Sequence, residues 1–138
     1  MAAVDASRIC LDTGPLIHYL RGREPGASAV EKVIRTSACY VTSITAYELL
    51  YGAARARQRF DEQDLLDVMV VLPFDVLSAQ RAARLHADLI GRNQDIGIKD
   101  VLIAAICLEH DLPLLTTNIR HFERVPLLQT IAAEELVG

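Results

Sequence analysis

Three carboxylates in this chain each stand where a strand or helix gives way to its neighbour. Asp12 follows the strand-like Ile9-Cys10-Leu11, Glu48 sits in Thr45-Ala-Tyr-Glu48-Leu-Leu, and Asp100 precedes the apolar run Val101 to Leu108. Hard cations such as Mg²⁺ take oxygen ligands and keep several waters, so a few converging carboxylates beside a phosphate substrate make a site for one. Each acid also has a plain structural role open to it. Asp12 and Thr13 suit a helix cap. Thr45 and Glu48 have the Thr-x-x-Glu spacing of a capping box. Asp100 suits the positive end of a helix dipole. One such residue alone reads as a cap; the three together favour a metal site.

The elements around these acids alternate between short apolar runs and longer helical patterns. Ile9 to Leu11 reads as a buried strand, with Thr13 as N-cap and Pro15 in the first turn of a helix through about Leu20. After the break at Pro25-Gly26, a helix is expected over Ser28 to Arg35, a strand over Cys39 to Thr42, and helices over Ile44 to Arg59 and Asp61 to Val70. Val71 to Phe74 reads as a short strand with Pro73 near an edge. Ser78 to Asn93 carries Ala82, Leu85, Leu89 and Ile90 at helical spacing. Gln94 to Ile98 is then a loop. Val101 to Leu108 is apolar on every side, so a helix there must be enclosed, and Leu112 to Thr116 and Leu127 to Thr130 complete the strands. Such alternation predicts one α/β domain over residues 1–138, three layers deep, with a mostly parallel central sheet flanked by helices. Ligands of such sheets bind beyond the carboxyl ends of the strands. Asp12 and Thr116-Thr117-Asn118 should therefore face one crevice.

Composition narrows the function classes. The 138 residues are 51% hydrophobic, yet only 5% are aromatic and Trp is absent, so the core has to be aliphatic. Met1 to Ser7 lacks a basic start and no apolar run approaches the ~18 residues of a membrane span, so a soluble, cytoplasmic protein without membrane contact is expected. Cys10, Cys39 and Cys107 are odd in number, lack CxxC spacing and sit in apolar segments, as reduced buried thiols do. The net charge of −4 does not advertise a nucleic-acid binder, but Arg55, Arg57 and Arg59, Arg21 and Arg23, and Lys99 could still track a phosphate backbone locally. Alone, the Arg55–Arg59 run reads as a solvated helix face. His18, His86 and His110 fall at positions that suit structural roles.

Four segments in order are similar to the successive motifs of PIN-domain ribonucleases, in particular VapC toxins: Asp12-Thr-Gly-Pro, Ser43-Ile-Thr-Ala-Tyr-Glu48-Leu-Leu-Tyr-Gly52, Asp100-Val-Leu-Ile-Ala-Ala, and Leu115-Thr-Thr-Asn118-Ile-Arg-His-Phe122. The resemblance runs from about Ile9 to Leu128. It implies a PIN-like fold and an Mg²⁺- or Mn²⁺-dependent endoribonuclease. It also implies a homodimer, neutralised by a cognate VapB-like antitoxin, with structured RNA such as transfer or ribosomal RNA as substrate. The chain departs from the family at the fourth position, where Asn118 stands for a frequent acid, and at His121, where another acid is common. An amide oxygen can coordinate Mg²⁺ but adds no charge, so a second metal should bind weakly. Asp95 is the one nearby carboxylate that could compensate, although Asp in a Gly-containing loop is ordinarily turn chemistry.

The mechanism expected is hydrolysis of an RNA phosphodiester with Asp12, Glu48 and Asp100 holding the cation and Thr116 or Asn118 positioning water or a phosphate oxygen. Two rivals stand against it. A catalytically silent PIN-fold binding module would keep the fold without cleavage. A phospho-accepting receiver domain also uses an acidic Mg²⁺ site, but it needs paired acids after the first strand, and these are absent. For the antitoxin, an Arg entering the acidic pocket is expected, with an apolar groove around Ile17, Tyr19, Leu20, Leu49, Leu50 and Tyr51.

Overall fold

A computed structural model describes residues 5–56 and 61–137. Its sheet contains β1 (Arg8–Leu11), β2 (Ala38–Thr42), β3 (Val70–Leu72), β4 (Leu114–Thr116) and β5 (Thr130–Ala132), ordered β3-β2-β1-β4-β5 with every pairing parallel. The connecting helices are α1 (Thr13–Arg21), α2 (Gly26–Thr36), α3 (Ser43–Ala56), α4 (Asp61–Asp67), α5 (Val76–Gly91), α6 (Ile98–Glu109) and α7 (Ile119–Phe122), with a final 3-10 turn at Ala133–Leu136. Alternation along each strand splits the core between the two faces of the sheet. Ile9, Leu11 and Leu115 point to the layer of α1 and α2, against Leu16, Val30 and Val33. Cys10 and Leu114 point to the layer of α5 and α6, against Leu85, Leu89 and Ile103. The three-layer α/β arrangement expected from the alternation of patterns is the one observed.

Helix α6 is the enclosed helix its composition requires: Val101 and Ile103 through Cys107 are all at 1% exposure or less. Ala104 and Ala105 let it lie close against its neighbours. The three cysteines are buried and unpaired, and among the described residues no helix is long and apolar enough to cross a membrane.

Several boundaries differ from the sequence expectations. Helix α4 stops at Asp67, because Val70 through Leu72 pair with Tyr40 through Thr42 and a helix cannot share that backbone. An acid at the negative end of the dipole also favours termination there. Strand β5 lies at Thr130–Ala132 instead of Leu127–Thr130, since Leu127 has φ 69° and is 91% exposed, a left-handed surface turn that no strand tolerates. Ile90, placed on the buried face of α5 by its spacing, faces solvent. Ile98 opens α6 and does not end the loop. Helix α3 is described to Ala56, so Arg57 and Arg59 lie outside the described residues. Thr13 is the first helical residue of α1 and not its cap; the cap position is Asp12.

The chain runs from β1 outward through β2 to β3, then returns to the other side of β1 for β4 and β5. The strand order thus reverses between β1 and β4, and in such sheets ligands bind beyond the carboxyl ends of the strands at that point.

Candidate active site

Asp12 is the residue at that reversal. Its backbone N–H donates to the Leu115 carbonyl at 2.9 Å, extending the β1–β4 ladder by one bond and fixing where the side chain starts. The Thr116 hydroxyl, itself fully buried, donates to Asp12 Oδ2 at 2.8 Å. At the N-cap position Asp12 makes no side-chain cap bond to α1, so capping does not account for it. Burial pushes its carboxyl from 3.8 up to about 6. Hydrogen bonds from Thr116 and the Thr13 backbone work against that rise, and the negative charges of Asp100 and Glu48 add to it. Both other acids therefore act on Asp12.

Glu48 is carried by α3, which begins directly at the end of β2. The N–H that caps this helix is Thr45's, donating to Thr42 Oγ1 at 3.2 Å. Thr45 is thus a capped residue and not a cap, and a box between Thr45 and Glu48 does not form. Glu48 Oε1 instead accepts from the Thr13 hydroxyl at 2.8 Å, and Thr45 Oγ1 lies 3.0 Å from that same hydroxyl. Glu48 Oε2 is 3.5 Å from Lys99 Nζ.

Asp100 sits in the first turn of α6, where the dipole favours an anion. Gly97 launches that helix at φ 90°, a backbone region that disfavours any side chain. Asp100 Oδ2 lies 3.0 Å from His121 Nδ1 in α7. Glu48 and Asp100 line one shallow depression with Ile96, Gly97, Ile98 and Lys99.

Thr116 and Asn118 differ in what they can reach. The Thr116 hydroxyl is spent inside the protein, donating to Asp12 and accepting the Asn118 N–H at 2.9 Å; it orients Asp12 and has no exposure with which to touch water. Asn118 is exposed, and its side chain makes no cap bond to α7. Asp95 is turn chemistry: Oδ1 accepts the Gly97 N–H at 3.0 Å and lies 3.1 Å from His86 Nε2. Of the other histidines, His18 Nδ1 accepts the Gly26 N–H at 3.2 Å and His110 ends α6. Gly14 of the first motif is needed where α1 passes the β4–α7 turn, since a Cβ there would run into the Thr117 hydroxyl.

Among the described residues no three His, Cys, Asp or Glu side chains close into a metal-ligating group. Each acid is turned to a protein partner: Asp12 to Thr116, Glu48 to Thr13 and Lys99, Asp100 to His121. Thr13 and Thr45 are the partners that sequence reasoning did not assign to the site. The separations of 32 and 35 residues between Thr13 and its contacts leave no local signal to find them by.

Residues 9–128 match the family model described as the PIN domain. The chain belongs to the PIN-domain family. This PIN protein is 32% identical over 123 residues to Ribonuclease VapC19 of Mycobacterium tuberculosis, with 86% of this chain and 95% of that protein covered. It is 28% identical to the tRNA(fMet)-specific endonuclease VapC of Salmonella typhimurium, with 86% and 92% covered. Its place in the family is therefore among the VapC ribonucleases, which removes the receiver domain as an alternative. The PIN fold also superposes on the structure of DNA-bound VapBC from Salmonella typhimurium with a TM-score of 0.80 at 23% identity, covering 91% of this chain and 98% of that one.

Proposed function

We propose that this VapC-family PIN domain is an endoribonuclease that hydrolyses RNA phosphodiester bonds with Mg²⁺, for which Mn²⁺ can substitute, and that it is the toxin of a pair completed by a VapB-like antitoxin. The observation that carries this reading is Asp12: a buried carboxylate, held by Thr116 at the strand-order reversal, with its pKa raised to about 6 by burial and by two further acids. A crowd of oxygen donors short of countercharge suits a hard divalent cation in its donor chemistry. Asp12, Glu48 and Asp100 would hold that ion, with Asn118 as a neutral fourth donor. When bound, the ion supplies Lewis acidity and countercharge for the phosphoryl oxygens.

The chain's own groups prepare the site. Thr116 locks the Asp12 carboxylate by one strong hydrogen bond, and Thr13 does the same for Glu48. His121 holds one oxygen of Asp100, which leaves the other for a ligand, while Lys99 brings positive charge to the depression where a phosphate would arrive. The relatives named as ribonucleases support RNA as the substrate.

The solved neighbours named as VapBC complexes support the antitoxin. A groove between α1, α3 and α4, lined by Ile17, Leu20, Leu49 and Ala53 with Glu48 among its walls, could take the apolar part of a partner peptide. Of the residues expected there, Tyr19 belongs to a neighbouring depression, and Leu50 and Tyr51 lie on the exposed surface outside the groove.

The test is to incubate the purified chain, freed of any partner, with cellular RNA and sequence the 5′ ends produced. Discrete new ends that vanish with a chelator and return with Mg²⁺ are expected. Ends that persist in chelator would contradict the metal-dependent mechanism, and no new ends at all would favour the catalytically silent binding module.

A further inference from the structure

We propose that Arg120 and Arg124, in a cleft beside the acidic crevice, form a binding site for a backbone phosphate of the RNA next to the one that is cut. The cleft is lined by Arg92, Gln94, Arg120, Glu123, Arg124 and Pro126. Helix α7 continues as a turn beyond its end, Glu123 N–H donating to the Ile119 carbonyl at 2.9 Å, so Arg120 and Arg124 stand four residues apart on one side of it.

Two of the three guanidinium groups are fixed in place before any ligand arrives. Arg92 donates to Asp88 Oδ2 at 2.8 and 3.0 Å, to Gln94 Oε1 at 2.6 Å and to the Arg124 carbonyl at 3.3 Å. Arg124 donates to the Asp95 carbonyl at 3.0 Å. Asp88 offsets the charge of Arg92, and Glu123, exposed, lines the cleft without an ion-pair partner among the described residues. Arg120 and Arg124, however, have no acid within ion-pairing distance among the described residues, and Arg120 makes no hydrogen bond through its guanidinium. Two positive charges without counterions, one preorganised and one free to swing, suit a doubly contacted phosphate.

The position of the cleft makes that phosphate part of the substrate. Arg120 is the chain neighbour of His121, whose ring contacts Asp100. The Asp95 carbonyl that pins Arg124 belongs to the loop leading into the depression of Glu48 and Asp100. A strand seated over the acids would pass the arginines on leaving, where positive charge meets its next phosphate. The proposal rests on the ribonuclease reading above.

Arg120 holds no part of the fold, so its variants are clean tests. Cleavage of one RNA cut by the wild-type chain is followed from about 50 to about 200 mM salt. Arg120→Ala is expected to raise KM about tenfold with kcat little changed, as loss of a charged hydrogen bond does. It should also flatten the salt dependence of log kcat/KM by about 0.7, the value for one phosphate contact on a single strand. Arg120→Lys should recover most of the loss. Lys32→Ala, an equal change of charge on α2 across the sheet, should leave KM and slope as they are. Equal kinetics in Arg120→Ala and wild type, or equal losses in Arg120→Ala and Lys32→Ala, would overturn the site. So would Arg120→Ala weakening only antitoxin binding or only duplex DNA binding. If the wild type cuts no RNA, the ribonuclease reading has failed; metal-free binding of a single-stranded oligoribonucleotide then decides the cleft by itself, loss in Arg120→Ala supporting it and equal binding overturning it.

Discussion

The Asp12 carboxylate is kept in a place that costs the fold. Its pKa rises from 3.8 to about 6 on folding, so the folded state favours the neutral acid. The stabilisation this brings is complete below pH 3.8 and is lost as pH rises through about 6; above that the ionised group costs on the order of 3 kcal/mol. Asp12→Asn keeps an acceptor for Thr116 and removes the charge. In metal-free solution at pH 8 it should melt several degrees above wild type, and the difference should shrink to nothing by pH 4; equal melting at pH 8 would mean the carboxylate is not strained. Asn118→Asp adds a charged oxygen at the crevice and should tighten Mg²⁺ binding, whereas Asn118→Ala should weaken activity without ending it. Calorimetry giving one affinity for all three proteins would put Asn118 outside the coordination sphere. Although Asp61, Asp75 and Asp111 also stand at element junctions, the three acids of the site were legible at this scale because each falls in one of the ordered segments Asp12-Thr-Gly-Pro, Ser43 to Gly52 and Asp100 to Ala105. Their partners were not. The Thr116–Asp12 bond joins residues 104 apart and the His121–Asp100 contact residues 21 apart, and no pattern local to either announces the pairing.

Elements fix how precisely those side chains meet. Helix α6 starts from Gly97 at φ 90°, and Asp100 rides in its first turn. Gly97→Ala forces a side chain into a region that costs on the order of 1–3 kcal/mol. The expected result is a lower melting temperature together with loss of activity out of proportion to it, since the helix start carries both Asp100 and Lys99; unchanged kcat would separate the turn from the site. Elements with a strong composition were readable in advance. The all-round apolarity of Val101 to Cys107 demanded an enclosed helix, and Ile9 to Leu11 demanded a buried strand. Elements set by pairing were not readable. Val70 joins β3 because Tyr40 stands opposite, and Leu127, apolar enough for a strand, turns into solvent because β5 begins only where Thr130 meets Leu114.

For the whole molecule, a net charge of −4 and a phosphate substrate are reconciled by local distribution, with acids at the strand-order reversal and arginines beside them. A partner that inhibits by placing an Arg among the acids would occupy the same charge deficit as the cation. Rising Mg²⁺ should therefore weaken the toxin–antitoxin complex, and Asp100→Asn should weaken it too; affinity indifferent to both would mean inhibition acts elsewhere. The parallel, helix-covered sheet was legible from the alternation of strand and helix patterns, whereas the strand order was not, since it is set by which strands pair. The arginine cleft was not, since Arg92 and Arg120 are separated in sequence by the whole of α6 and β4. Whether Asp12, Glu48 and Asp100 cut RNA together is decided by single-turnover cleavage of one RNA at saturating Mg²⁺. Asp12→Asn, Glu48→Gln and Asp100→Asn should each lose about a hundredfold or more in rate with circular dichroism unchanged. A folded variant that kept most of the wild-type rate would contradict that joint role.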